Sequence, residues 1–322
     1  MSLRCRCSVA VAVLLVAAGC ASAPEGTDTT TSPPTTSSDP TFSPTVHDSA
    51  FFLDLRTGTE TPLPSTSGED PRGRFNDGHY YAVSPDGSRI YWENTCCSAA
   101  DVAAVAKSDG SQGRRLDPKS RINYYAGGWS PDSTKIVYQR RDGSGDAGPF
   151  GDLVVEDMVS GRKTRIDLGL GSPESGWWYL APTFSPDGRN VIFQLPRGPD
   201  GMTKWDLWSV PVIGGKPTLL VRNAAQATTS DGPIWAFVRP KDEFFDGTRL
   251  VIATPDGFRP LVEASLGIFE PKMSPDGSKI AYQDGDSIYV VDVSTGESSE
   301  VALGRMAAWL DDDTLIVAPD KP

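Results

Sequence analysis

The chain has little of what most hydrolases and metalloproteins use. Its 322 residues include only 2 histidines and 5 cysteines. His47 lies in a Ser/Thr/Pro-rich stretch, so a Ser-His-Asp arrangement in the rest of the chain would have to use His79. That residue stands near the start of a strand, an ordinary structural position, and no G-x-S-x-G occurs. Cys96 and Cys97 are adjacent. They form either a vicinal disulfide, which an oxidising compartment favours, or two thiols in a loop. No cysteine pair has zinc-site spacing. No stretch after residue 48 sustains a helical period with caps, and no apolar run after Ala18 is long enough to cross a bilayer. Positive charge is also short. With 30 basic and 42 acidic residues the net charge is −12, which argues against nucleic acid and anionic lipid surfaces as partners.

Several motifs carry less than their spelling suggests. Gly143-Ser144-Gly145-Asp146-Ala147-Gly148 fits G-x-G-x-x-G, but it opens no helix and sits in no βαβ unit, so it reads as a loop. Asp311 to Asp313 and Asp284-Gly285-Asp286 lack calcium-loop spacing, and tight turns account for both. Glu69-Asp70 and Asp242-Glu243 pair carboxylates on long loops, where solvated acids are commonplace. No cofactor and no metal is expected.

What the chain does have is repetition. Ser-Pro-Asp-Gly occurs at Ser84–Gly87, Ser185–Gly188 and Ser274–Gly277, and Ser130-Pro131-Asp132-Ser133 is a fourth copy without its glycine. Six residues after each serine stands Ile90, Ile136, Val191 or Ile280, and eight after it Trp92, Tyr138, Phe193 or Tyr282. Proline presets the first corner of a type I turn, aspartate or serine bonds the local backbone, and glycine takes the next, left-handed position. Apolar residues two apart then share one face of a strand. Ser133 predicts a turn that is strained or differently shaped.

A second glycine turn alternates with the first, at Gly58, Gly110, Gly161, Gly214-Gly215, Gly257 and Gly296. Degenerate copies of the first type stand at Ser230-Asp231-Gly232 and Trp309 to Asp313. Six turns of each type predict an all-β, six-bladed β-propeller of four-stranded blades, about 46 residues each. The chain opens on a second-type turn and closes on a first-type one. Residues 49 to 63 therefore supply the outer strands that the last blade lacks, which closes the ring and protects its edges.

The repeated unit, an apolar residue followed by Ser-Pro-Asp-Gly, a basic or small residue, isoleucine and an aromatic, resembles the WD-like repeat of TolB-type propellers. The resemblance covers residues 49 to 322 nearly throughout and is loosest in the fourth and sixth blades. It implies the fold. The α/β domain that precedes the TolB propeller has no counterpart here, so the resemblance does not carry TolB's role. Nor is there a counterpart to the hydrolase domain of prolyl oligopeptidase-type enzymes, which also carry propellers.

The N-terminus supplies an address. Arg4 and Arg6 precede an apolar run from Val9 to Ala18, short for a membrane span and suited to a secretory leader. The run ends in Ala17-Ala18-Gly19-Cys20, which resembles a bacterial lipoprotein cleavage box and implies lipidation of Cys20. The other reading is an ordinary leader cut at Ala21-Ser22-Ala23. Residues 21 to 46 hold 18 Ser, Thr or Pro among 26 and cannot bury a core, so they read as a disordered spacer. The expected organisation is a leader over 1–19, a lipidated tether over 20–48 and the propeller over 49–322. Loss of Arg4 and Arg6 with the leader leaves 28 basic and 42 acidic residues, a net −14. The expected product is a monomer outside the cytoplasm, on the cell membrane through its lipid.

In such a blade both glycine turns lie at one end of the propeller, and every long loop lies at the other. Binding concentrates where loops elaborate a rigid scaffold. The contacts expected there are Trp177, Trp178, Tyr179, Tyr124, Tyr125, Trp205, Phe244 and Phe245, with Arg74, Arg121 and Arg140, and with His79 at the mouth. Arginine with aromatics is common among interface anchors, aromatic platforms suit sugars, and about half of such aromatics pack between blades instead. The sequence reads as a non-catalytic binding or scaffold module for an envelope protein, peptide or glycan. The alternative is a metal-assisted hydrolase or lyase acting on sugars or lactones at the channel mouth. Convergent Asp, Glu, Asn and His there would favour the enzyme; small residues and aromatics would favour binding.

Overall fold

The structure is a computed structural model. It describes residues 47, 49–64, 80–94, 102–116, 124–140, 152–168, 180–197, 204–240, 248–264 and 266–319, with no side-chain detail at a few strand ends. Contacts divide the chain into Met1–Ser43 and Pro44–Pro322; all described residues belong to the second unit. The leader and tether expectations, and the lipidation of Cys20, lie outside the described residues, as do Cys96 and Cys97.

The strands are β1 (Phe51–Asp54) and β2 (Thr59–Pro62), then five complete blades and a final pair. Blade one is β3 (Tyr80–Val83), β4 (Arg89–Asn94), β5 (Val102–Lys107) and β6 (Arg114–Arg115). Blade two is β7 (Tyr124–Trp129), β8 (Lys135–Arg140), β9 (Asp152–Asp157) and β10 (Lys163–Ile166). Blade three is β11 (Thr183–Phe184), β12 (Asn190–Pro196), β13 (Trp205–Pro211) and β14 (Thr218–Val221). Blade four is β15 (Ala225–Thr229), β16 (Trp235–Pro240), β17 (Thr248–Thr254) and β18 (Gly257–Ala264). Blade five is β19 (Phe269–Met273), β20 (Lys279–Asp284), β21 (Ser287–Asp292) and β22 (Ser298–Leu303). The final pair is β23 (Met306–Trp309) and β24 (Thr314–Ala318). The sheet order β2-β1-β24-β23 completes blade six, with Phe51 opposite Val317 and Leu53 opposite Leu315. The expected six-bladed ring and its closure by the two chain ends are therefore observed.

The repeat predicts one apolar face on each second strand, and the structure buries both. Ile90, Ile136, Val191 and Ile280 are fully enclosed, and so are their neighbours Tyr91, Val137, Ile192 and Ala281 on the opposite face. The reason is positional. A blade lies between two other blades, so its second strand has no solvent side. Tyr91, for example, packs against Ile136 and Tyr138 of blade two, while Trp92 packs against Ile316 of blade six.

The first-type turns behave as their residues dictate. Ser84, Ser130, Ser185 and Ser274 each donate to the turn aspartate at 2.6–2.7 Å, and each hydroxyl accepts the N–H five residues on. Ser133 keeps the turn's shape and carries the strain. Its φ is +57°, close to the +67° to +75° of Gly87, Gly188 and Gly277, in a region costly for a residue with a Cβ. Its hydroxyl has a use, since Ser133 Oγ accepts the Asp86 N–H of blade one at 3.0 Å. Ser133→Ala keeps the strain and loses this bond, and is expected to cost about 1–2 kcal/mol in denaturant unfolding. Ser133→Gly exchanges the bond for relief of strain, and is expected to lie within about 1 kcal/mol of the parent.

These turns also set the acid limit. Burial pushes the Asp132 carboxyl up, but bonds from the Ser130 and Thr134 hydroxyls and the Thr134 N–H outweigh it and leave it at about 2. At Asp86 and Asp276 burial is likewise outweighed, and Asp86, Asp187 and Asp276 are lowered through the hydroxyls and N–H groups of their own turns, with Ser133 of the next blade adding to Asp86. A folded value below the ordinary 3.8 means stabilisation present above that pH and lost as pH falls through the folded value. Thermal stability is expected to be level down to about pH 4 and to fall from there toward pH 2. Asp132→Asn should make that fall shallower.

Candidate functional site

The six inner strands enclose a channel on the propeller axis, with a cavity of about 120 Å³. Its walls are narrow, and the repeat shows why. Two residues before each turn serine stand Ala82, Gly128, Thr183, Thr228 and, in blade six, Ala308. At this level the strands nearly touch. A Cβ on Gly128 would lie 3.0 Å from the Thr183 Cα and 3.1 Å from the Pro182 carbonyl oxygen of blade three. Blade five breaks the pattern with Lys272, whose side chain lines the channel.

Lys272 makes the site. Its Nζ donates to Glu270 Oε2 at 3.1 Å and to Tyr80 Oη at 3.0 Å, and lies 4.5 Å from the Tyr80 ring centre. Tyr80 Oη in turn donates to the Gly127 carbonyl at 3.0 Å. One relay thus links blade five to blades one and two. Burial works against the ammonium, but Tyr80 and Glu270 outweigh it and hold the amine above its ordinary range. Burial pushes the Tyr80 phenol up to about 12, with Lys272 opposing. At neutral pH the tyrosine is therefore neutral, and Glu270 is the counter-charge. Toward the turn end Asp231 also lines the channel, its carboxyl raised by burial and then by Asp312 and Asp86.

The loop end of the channel is shaped by bulges. Ala181, Gln226 and Glu270 occupy equivalent places four residues before their turn serines, with φ of +42°, +52° and +47°. The sheet register slips at two of them. Each bulge is tied to the blade before it. Leu180 N–H bonds Gln139 Oε1 at 3.0 Å, Gln226 N–H bonds Gln194 Oε1 at 2.9 Å, and Glu270 N–H bonds Gln226 Oε1 at 2.9 Å. Non-glycine residues in this region persist only where their surroundings over-determine them, and they cluster at binding sites.

Of the residues expected from sequence, Tyr124, Tyr125 and Arg140 lie in β7 and β8, with Tyr124 opposite Arg140 and Tyr125 opposite Gln139 in the register. Trp205 opens β13 opposite Pro196 and is half-buried. Arg74, His79, Arg121, Trp177, Trp178, Tyr179, Phe244 and Phe245 lie outside the described residues. Sequence reasoning missed Lys272, Glu270, Tyr80 and Gln226. The signal was present, since a lysine in a column of small residues has no role in a packed wall. Among the described residues no group of three or more His, Cys, Asp or Glu is placed to hold a metal ion.

No protein-family model and no curated protein sequence matches the chain. Solved structures do. TolB from Acinetobacter baumannii aligns with TM-score 0.51 at 16% identity, over 75% of this chain and 63% of that one. The fold is that of a TolB-like β-propeller. The tricorn protease aligns with TM-score 0.54 at 16% identity, over 79% of this chain and 24% of that one. The chain thus spans less than two thirds of both structures, and at such identity the likeness is one of fold.

The Lys272–Glu270 pair is testable on its own. Both side chains keep some solvent, 21% and 17% exposed, so Lys272→Met should cost about 2–3 kcal/mol, below the ~3–5 of a fully buried pair. Adding Glu270→Gln should recover part of that loss in a double-mutant cycle.

Proposed function

We propose that the chain is a non-catalytic binding module of the cell envelope. It is held outside the cytoplasm by a lipid on Cys20, and its loop face and channel mouth receive an envelope protein, peptide or glycan. The observation that carries this reading is the make-up of the channel. Its walls are mostly small residues with Tyr80, Trp129 and Trp309 among them, and among the described residues its ionic groups at the loop end are the Lys272–Glu270 pair. Paired Lys and Glu suit recognition better than proton transfer, because the Lys272 amine is held above its ordinary range by Tyr80 and Glu270 and so lies far from neutral pH. The leader ending in Gly19-Cys20 and the Ser/Thr/Pro-rich segment after it support an anchor and a spacer. The likeness to TolB supports the scaffold, and no partner of TolB is carried over with it.

The test is crosslinking from intact cells of the parent and of a Trp177→Ala/Trp178→Ala form, with metabolic labelling of the lipid in parallel. The expected result is a discrete crosslinked species from the parent, reduced about tenfold or more in the variant, and loss of the lipid label with Cys20→Ala. A species equally abundant in parent and variant would place binding elsewhere. Label retained by Cys20→Ala would remove the anchor.

A further inference from the structure

The cavity narrows the choice of ligand, and this inference rests on the binding reading above. Lys272 carries three N–H donors. Two go to Glu270 and Tyr80; among the described residues the third meets no acceptor, while the side chain lines the lumen and keeps 21% of its surface open. Gln226 is oriented by its bond to the Glu270 N–H, which must fall on its carbonyl oxygen at 2.9 Å. Its amide N–H₂ therefore faces no protein acceptor among the described residues, and Gln226 lines the same cavity. Lys272 is partly exposed and Gln226 is half-buried, and both side chains line the lumen, so their remaining donors are open to water or to a ligand that displaces it.

Among the described residues, the ionic side chains lining the cavity at this end are one ammonium, Lys272, and one carboxylate, Glu270. An incoming carboxylate would meet Glu270, and an incoming ammonium would meet Lys272, so an ionic ligand finds as much repulsion as attraction. A hydroxyl group both donates and accepts and suits a site that presents ammonium, amide and carboxylate together. The size agrees. The cavity of about 120 Å³ is small beside the ~300–1,000 Å³ of pockets that enclose a whole small molecule, so it admits one edge of a sugar ring and no folded element. We infer that the channel takes the hydroxyl-bearing edge of a neutral sugar residue, with Lys272 and Gln226 as donors and Glu270 as acceptor.

The experiment is a titration of the full chain with methyl α-glucopyranoside, glucuronate and glucosamine, followed by ligand-detected NMR. The neutral glycoside is expected to saturate in the millimolar range, with both charged sugars about tenfold weaker or more. Glu270→Gln leaves Lys272 unbalanced and should place glucuronate ahead of the neutral glycoside. Gln226→Glu keeps the oxygen that the Glu270 N–H needs, removes a donor and adds a negative charge, so it should move the preference toward glucosamine. Thermal unfolding confirms that each variant is folded; if one is not, the other decides. Equal binding of the three sugars, or an unchanged order in a folded variant, overturns the inference. So does an absence of sugar binding in a parent protein that still forms its Trp177/Trp178-dependent crosslink, and the binding module then stands without its sugar. Loss of both sinks the two together.

Discussion

Six strands converge on one axis, and each brings backbone polar groups that its own sheet leaves unpaired. That constraint governs the rest of the molecule. A buried N–H or carbonyl must find a partner, and in this ring the partner comes from the neighbouring blade. Gln139, Gln194 and Gln226 each reach the next inner strand with an amide oxygen. Trp129 and Trp309 reach back with their indole N–H groups to the carbonyls of Ala82 and Lys272. Thr228 accepts the Met273 N–H, and Ser133 accepts that of Asp86. The blades are held by directed bonds at the axis as well as by the apolar faces between them.

The same crowding shapes the channel. Where neighbouring backbones come within van der Waals contact, only small side chains fit, and five blades comply. The lysine of blade five fits because it runs into the lumen, where Glu270 balances its charge and Tyr80 covers it. The bulges at Ala181, Gln226 and Glu270 belong to the same economy of space. Each turns a short length of inner strand out of its ladder at the loop end, and each freed or neighbouring N–H is met by a glutamine of the blade before. The mouth is therefore irregular on a regular scaffold, and its polar groups are fixed by their neighbours before any ligand arrives.

How much of this was legible varies with the range of the cause. The turns were readable because Pro, Asp and Gly act on their own backbone within four residues. The strand faces were half readable. Ile90 and Trp92 announced one apolar face by their spacing, but Tyr91 on the other face is buried because blade two stands there, and no local pattern states that. Ser133 was readable as a fault in the turn and unreadable as a bond to Asp86, which lies in another blade. Lys272 is an ordinary strand residue beside its neighbours along the chain. Compared down the column of equivalent positions it stands out at once.

The sequence by itself determined the number of blades, the two kinds of turn and the closure of the ring by its two ends, because each follows from short-range backbone preferences repeated at a fixed interval. Only the tertiary structure decided where charge lies in the channel. Lys272 and Tyr80 are 192 residues apart, and their meeting depends on ring closure, which brings blade five across from blade one. Contacts made through an axis have no period along a chain, so they become visible only when the ring is built.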